Sequence, residues 1–500
     1  MPTSTLRTAE LSLLDQYMPR IYITLFLVFE TSDPSGAVDN LKAGLKRLNR
    51  RLPNLKGRVF ATDGGRVGLR WSPTAKDVEL HEVPINGLIL SGTSFTKLKT
   101  EGVPLHYFPP CLCPLPLLSD VRSDSGEPVF AANYTLLDGG LVVGLSVHHS
   151  VMDGTGVVEL IRFWAACTRS DAIDAATPAP DPDEPLRRDI LLRLATGHAT
   201  QTRPTLFHDL LARHPEFALL SDATPAPPLP SPKGTSKLFT FDTFKLDRAK
   251  TALRALKTPL EAKWITTNSI LCAAIWSCIT RVRAARRGQE GFGAGAAASS
   301  KLGFAINGRT KLDRTSELSE RPFLGNVTLY GLAGASVSHL ERASSSSVAT
   351  GGRAERDRDD DDDDDDNRWS ALAVVVEAIA DAIKRVTPVY VAEVMELIGR
   401  APDVEKIMPG WNSFDGPDLM ITSWVNMGLY EADFGQGIGK PRFMRVPQVE
   451  VDGFVIVLPR KRELAHAEIG REECIEVVVA MHPEDMAALN REPVWRDLLA

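Results

Sequence analysis

The residues best placed to do chemistry are His149-Ser150-Val151-Met152-Asp153-Gly154. A histidine there is followed by a carboxylate four residues on and a glycine behind it. Imidazole titrates nearest neutral pH, so His149 can take a proton from an alcohol or amine and hand it on. It is the one histidine of the ten with an aspartate at the fourth following position. A second histidine, His148, precedes it. The non-catalytic reading of the same residues is a hydrogen-bonded core histidine pair beside a helix N-cap aspartate.

The elements around the motif must position it. Residues 131–137 read as a strand, and Asp138-Gly139-Gly140 is a hairpin turn signal. Residues 141–147 are a second strand, apolar enough to be buried. Val157, Leu160, Ile161 and Trp164 then share one face of a helix. His149 therefore sits on a short strand-to-helix connection between rigid elements, where binding and catalytic groups are usually carried. Upstream, 21–30 is a strong strand, and Leu41, Leu45, Leu48 and Leu52 have helical spacing ended by Pro53. Residues 57–60 and 68–71 are short strands. Prolines crowd 174–185 and 225–232, so about 175–235 reads as a long crossover. Beyond it, 237–241 is a strand and 247–256 a helix, and Thr267 to Trp276 caps and begins another. Both halves mix strands and helices, which predicts an α/β protein of two domains, 1–175 and 236–500, joined by a linker at 176–235.

Length and composition bound the remaining possibilities. The chain of 500 residues exceeds one ordinary core, and its 43% hydrophobic content is that of a globular protein. No run of eighteen apolar residues predicts a membrane span. The first ten residues lack the apolar core of a secretory signal, so a cytoplasmic protein is expected. Six cysteines are too sparse for a disulfide scaffold. Cys111 and Cys113 have no second ligand pair at zinc spacing, so no metal is expected. No phosphate loop or dinucleotide fingerprint is present, and Gly291 to Gly295 follows no strand. The net charge is -7, but residues 353–368 carry ten acids and four bases, a local -6 that leaves -1 elsewhere. That balance gives no support for nucleic-acid binding. Eight consecutive aspartates, Asp359 to Asp366, repel one another, so about 341–368 reads as a disordered acidic insertion. The run lacks the spaced ligands and turn glycine of a calcium loop.

With these motifs in view, the chain resembles the BAHD-type acyl-CoA-dependent acyltransferases of fungal and plant secondary metabolism. His149 to Gly154 matches that family's HxxxDG, and Asp433-Phe434-Gly435-Gln436-Gly437 is close to its DFGWG. Supporting matches run nearly end to end. They are Leu11 to Asp15, Leu55 to Arg58, the Thr267 to Trp276 helix, Asn307-Gly308-Arg309, Gly325-Asn326, Thr422-Ser423-Trp424 and Gly439-Lys440-Pro441. Gln436 replaces the usual Trp, and Ile438 is an extra residue.

The resemblance implies two domains like chloramphenicol acetyltransferase, each a mixed sheet with flanking helices, and an active-site channel at their interface. His149 would be the general base, with direct transfer of an acyl group, most commonly acetyl, from acyl-CoA to a hydroxyl or amine. Acyl-CoA would be the co-substrate, with no bound cofactor, and a monomer is expected. Trp424 and Thr422 become candidates for holding the oxyanion. Asp433 is a second candidate catalytic group, although its glycine-rich loop suits a structural role. Asp153, Gly154, Arg309, Gly435 and Gly437 are expected to support the site, Asp153 by an ion pair with Arg309. The pair His148-His149 also fits condensation domains, which share the fold but use carrier-tethered substrates. A ligand-binding member without turnover is the non-enzyme alternative.

Overall fold

Two main sheets build the protein. In chain order their strands are β1 (Tyr22–Glu30), β2 (Leu80–Glu82), β3 (Phe130–Leu137), β4 (Gly140–His148), β5 (Thr235–Asp242), β6 (Ser299–Asn307), β7 (Thr328–Ser336), β8 (Leu419–Ser423), β9 (Phe443–Arg445), β10 (Phe454–Val457) and β11 (Cys474–Met481). The main helices are α1 (Pro34–Arg51), α2 (Gly154–Arg169), α3 (Thr243–Ala255), α4 (Thr267–Arg287), α5 (Arg358–Arg385) and α6 (Pro388–Arg400). This computed structural model describes the chain apart from residues 1–5, 85–89, 171–177, 198–205, 221–233, 257–264, 289–291, 293–297, 313–317, 319–320, 346–357, 415 and 462–473.

The first sheet has the order β9-β1-β4-β3-β2. Its neighbours are antiparallel except β2 beside β3. β3 and β4 are joined by the two-residue turn Asp138-Gly139, with Leu137 opposite Gly140. Every residue of β4 is buried, which explains why its sequence is an unbroken apolar run rather than an alternating one. α1 and α2 cover this sheet, and Leu41, Leu45, Leu48, Val157, Leu160, Ile161 and Trp164 fill the layer between.

The second sheet, β5-β11-β10-β8-β6-β7, is parallel across β6, β8 and β10 and antiparallel outside them. α3, α4 and α5 bury their apolar faces on it. Each half is thus a mixed sheet with helices, as expected for the fold class.

The halves are not cleanly divided at the predicted boundaries. β9 belongs to the C-terminal half yet adds to the edge of the first sheet, with Phe443 opposite Val28. Arg445, fully buried, makes two bonds of 3.0 and 2.8 Å to Glu476 in β11 and so ties the two sheets together. The stretch 176–235 is also more than a connection. It forms helices Ile190–Thr196 and Phe207–Arg213, and its strand Phe217–Leu219 pairs with Ile407–Pro409. The predicted boundary at 175 lies outside the described residues.

Of the disordered insertion expected at about 341–368, the two ends are described. Residues 341–343 end a helix, and α5 begins at Arg358 and takes in the aspartate run. α5 is anchored further along by buried Ala371, Leu372, Val375, Val376 and Ile379. The middle of the segment, 346–357, lies outside the described residues.

Candidate active site

His149 lies one residue past β4, where the chain turns into α2. Its backbone N–H donates to Ile21 O at 2.9 Å, and its carbonyl accepts from Asn326 Nδ2 at 2.8 Å. The first contact is within the N-terminal half and the second reaches across to the C-terminal half. The ring is half-buried. Its Nδ1 is buried without a hydrogen-bond partner, which leaves Nε2 as the nitrogen able to face a substrate. Burial pushes the imidazole below its ordinary pKa, and its own carbonyl, Asp153, Asn326 and Asp15 offset this in part. The ring is therefore neutral at neutral pH, the form a base requires.

His148 is a different kind of group. It is fully buried, its Nδ1 accepts from Ser150 N–H at 3.2 Å, and its Nε2 lies 2.7 Å from Ser119 Oγ. An accepting Nδ1 places the ring proton on Nε2, pointing at the serine. Burial pushes its pKa down to about 3, with Arg20 and His149 adding to the effect. Both nitrogens are occupied, so His148 is a core histidine.

Asp153 does not reach for the imidazole. It is the N-cap of α2, taking Gly156 N–H on Oδ1 at 2.9 Å. Arg309 makes two bonds to it, of 2.8 and 3.0 Å, and Oδ2 also accepts from Val327 N–H and the Thr328 hydroxyl. Burial opposes its charge, but Arg309 and these N–H donors outweigh that and hold the carboxyl below its ordinary range. Gly156 explains how closely the halves meet here: a Cβ on it would lie 2.0 Å from Leu324 O.

A second buried network completes the clamp. Asp15 is fully buried and accepts from Ser12, from Arg188 Nη1 at 2.9 Å, and from Asn326 N and Nδ2 at 3.1 and 2.7 Å. Arg188 also donates to Val151 O and to Glu184, while Glu184 accepts from Leu324 and Gly325 N–H. Glu184 and Arg188 come from the stretch read as a linker, and sequence reasoning gave them no role. Their single trace was an i,i+4 acid–base pair in a proline-rich stretch. Asp15 and Asn326 appeared only as family matches.

The other candidates fall into two groups. Trp424 is near the motif: a Cβ on Gly154 would lie 3.2 Å from its Nε1. Thr422 is half-buried on β8, two residues before it. Asp433 lies elsewhere, at the other end of α2. Its carbonyl accepts from Arg169, the last residue of α2, whereas His149 precedes the first. Sixteen helical residues span about 24 Å. The sheet gives a second ruler. Phe434 meets Phe29 edge-on at 5.3 Å, and Phe29 is opposite Leu141, while Tyr22 is opposite His148. Seven strand residues span roughly 23 Å. Asp433 Oδ1 instead accepts from Gly435 N–H at 2.9 Å, closing its own turn. Gly435 and Gly437 have φ of 91° and 86°, a region closed to most side chains. Thr31 ties the turn down by donating to Gly437 O at 2.7 Å. Gln436, where the family has Trp, is exposed and outside this packing.

Among the described residues no group of three or more His, Cys, Asp or Glu could hold a metal ion, and no helix is long and apolar enough to cross a membrane.

Comparison with known proteins follows the same lines. Residues 114–494 match the model of the Transferase family, and 21–167 that of the trichothecene 3-O-acetyltransferase-like N-terminal domain. The chain is 32% identical to trichothecene 8-O-acetyltransferase of Fusarium sporotrichioides, over 97% of both chains. It is 25% identical to O-acetyltransferase ptmV of Penicillium ochrochloron, over 96% of this chain and 94% of that one. The structure of F. sporotrichioides TRI101 with coenzyme A and T-2 superposes with a TM-score of 0.70 at 21% identity, over 98% of each chain.

Proposed function

The chain belongs to the Transferase family, the BAHD-type acyltransferases, and from that premise we propose that it moves an acetyl group from acetyl-CoA to a hydroxyl of a small secondary metabolite, with His149 as the general base. It is an acyl-CoA-dependent O-acyltransferase. The observation that carries the mechanism is the half-buried His149 ring, its Nδ1 enclosed and its backbone held from both halves.

His149 Nε2 takes the proton of the acceptor hydroxyl as that oxygen attacks the thioester carbonyl. The tetrahedral intermediate collapses, the C–S bond breaks, and the leaving thiolate takes the proton back from the imidazolium. Asp153 does not share this work, because its oxygens are committed to Arg309 and the backbone. The Trp424 indole N–H, beside Gly154, is the donor we assign to the developing oxyanion, with Thr422 as its neighbour on the strand. Every part of this site comes from one chain, which a monomer suffices to build.

Trichothecenes make the first acceptor panel, since relatives at 32% and 25% identity carry them in their names. Thiol release from free acetyl-CoA, dependent on acceptor and lost in His149→Ala, is the expected result. Release from His149→Ala within about threefold of wild type would defeat the general-base role.

A further inference from the structure

We propose that the open face of the second sheet beside Thr422 seats the acceptor, with Ala305 as floor and Tyr330 and Trp411 as walls, and that it takes a compact alcohol built on apolar fused rings. This rests on the reading of His149 and Thr422 as the site and adds the class of acceptor. Side chains alternate across a sheet, so neighbours along β6 and β8 point to opposite faces. Leu302, Phe304, Leu419 and Ile421 lie in the core with α3, α4 and α5. The opposite face looks towards the first half of the chain. There Ile456, beside Thr422, and Val478 join that half's core. Thr422 therefore belongs to this second face. β6 and β8 run parallel with Gly303 beside Met420 and Phe304 beside Ile421, so the next step sets Ala305 beside Thr422. Across the other edge of β6, Ala305 is opposite Tyr330 of β7. Thr422, Ala305 and Tyr330 form one row across three strands.

The surroundings of that row are aromatic. Trp411, just past the strand Ile407–Pro409, lies over Gly303, where a Cβ would run into its indole. Its ring meets Tyr330 edge-on at 5.2 Å. Tyr330 is backed by Tyr17 of the first half at 5.6 Å and by Phe217 of the crossover at 6.1 Å. The Tyr17 hydroxyl donates to Thr328 O, and the Thr328 hydroxyl to Asp153, so the wall is fixed to the clamp that holds the His149 loop. Yet Ala305, Thr422, Tyr330 and Trp411 are each only half-buried. None of the four carries a charge, and burial pushes the Tyr330 phenol up to about 12, which keeps it neutral. From Thr422 to Tyr330 is two strand spacings, about 10 Å, and from the Gly303 row to the Asn307 row four residues, about 13 Å. That footprint suits fused rings better than a single chain. A polyol would lose hydration against methyl and ring faces that offer nothing in return. An apolar ring system buries its faces there, with its hydroxyl towards the Asn307 end. Asn307 in turn donates to Thr155, next to Gly154 of the motif, at 3.4 Å.

The test offers the full chain two ring alcohols of opposite polarity, decahydronaphthol and inositol. Binding is read by equilibrium dialysis with coenzyme A present, and turnover as thiol release from acetyl-CoA. Decahydronaphthol should bind and react with kcat/KM about tenfold or more above inositol. Ala305→Leu, which fills the floor, should raise its Kd and KM about tenfold or more. The same variant should keep KM for acetyl-CoA, and thioester hydrolysis without acceptor, within about twofold of wild type. Trp411→Ala, which removes a wall, should weaken decahydronaphthol in the same way. Should either variant fail to fold, judged by Tm, Ala305→Val takes the same readouts with a smaller rise. Two results overturn the proposal: no preference for decahydronaphthol over inositol, or a folded Ala305 variant whose Kd for decahydronaphthol is unchanged. Dialysis needs no turnover and applies equally to His149→Ala. An active His149→Ala would thus defeat the base while the seat stands or falls on its own binding result.

Discussion

The loops at the two ends of α2 carry the two motifs that match the family, and they are built from opposite materials. The His149–Asp153 loop at the N-terminal end is held by charged groups from three distant parts of the chain: Asp15, Arg188 and Arg309. The Asp433–Gly437 loop at the C-terminal end is held by its own Asx turn, two positive-φ glycines, and Phe434 set edge-on against Phe29 and Trp164. Motif strength alone does not separate them. Position along one helix does: the first loop presents a nitrogen, the second pins a helix end against the first sheet.

Substitutions should break that symmetry. His149→Ala should lower kcat/KM by about 10³-fold with little change in Tm, a general base being worth 10²–10⁴. Arg309→Met should act mainly on stability, costing about 3–5 kcal/mol by leaving the Asp153 carboxylate buried and unpaired. Denaturant titration reads that loss. Gly435→Ala should cost about 1–3 kcal/mol, because it forces φ of 91° on alanine and sets its Cβ 2.9 Å from Arg169 Cγ. Its kcat/KM should stay within about threefold at temperatures where it is folded. If Gly435→Ala instead loses activity while keeping its Tm, the second loop does chemistry.

pH separates the two histidines as well. His149 lies below its ordinary pKa, so kcat/KM should hold below pH 6.5 and fall only as the ring protonates under it. His148 should be silent in that profile but visible in stability. Its folded pKa of about 3 lies below the ordinary 6.5, so the unfolded chain binds the extra proton between those values. Stability then falls as pH drops through that window, by about 1.4 kcal/mol per pH unit. His148→Phe should remove that share of the slope in unfolding measured from pH 7 to 4.

What was legible in the sequence follows from the range of the forces involved. The β3–β4 hairpin, α2 and its N-cap depend on neighbours in sequence, and Asp138-Gly139, the Val157–Trp164 face and Asp153 announce them. Arg309 came through the family likeness, since nothing local links it to a residue 156 positions away. Arg188 and Glu184 stayed hidden because proline-rich composition reads as linker, while their burial depends on Asp15 and the 324–325 backbone. β9 joining the first sheet is likewise a long-range pairing.

The central claim is that chemistry resides at one end of α2 and not the other. Acceptor-dependent thiol release from acetyl-CoA, measured as kcat/KM for His149→Ala and Asp433→Ala side by side, tests it most directly. The account predicts a loss of about 10³-fold for the first and a value within about threefold of wild type for the folded second. Equal losses in both, or the larger loss in Asp433→Ala, would contradict it.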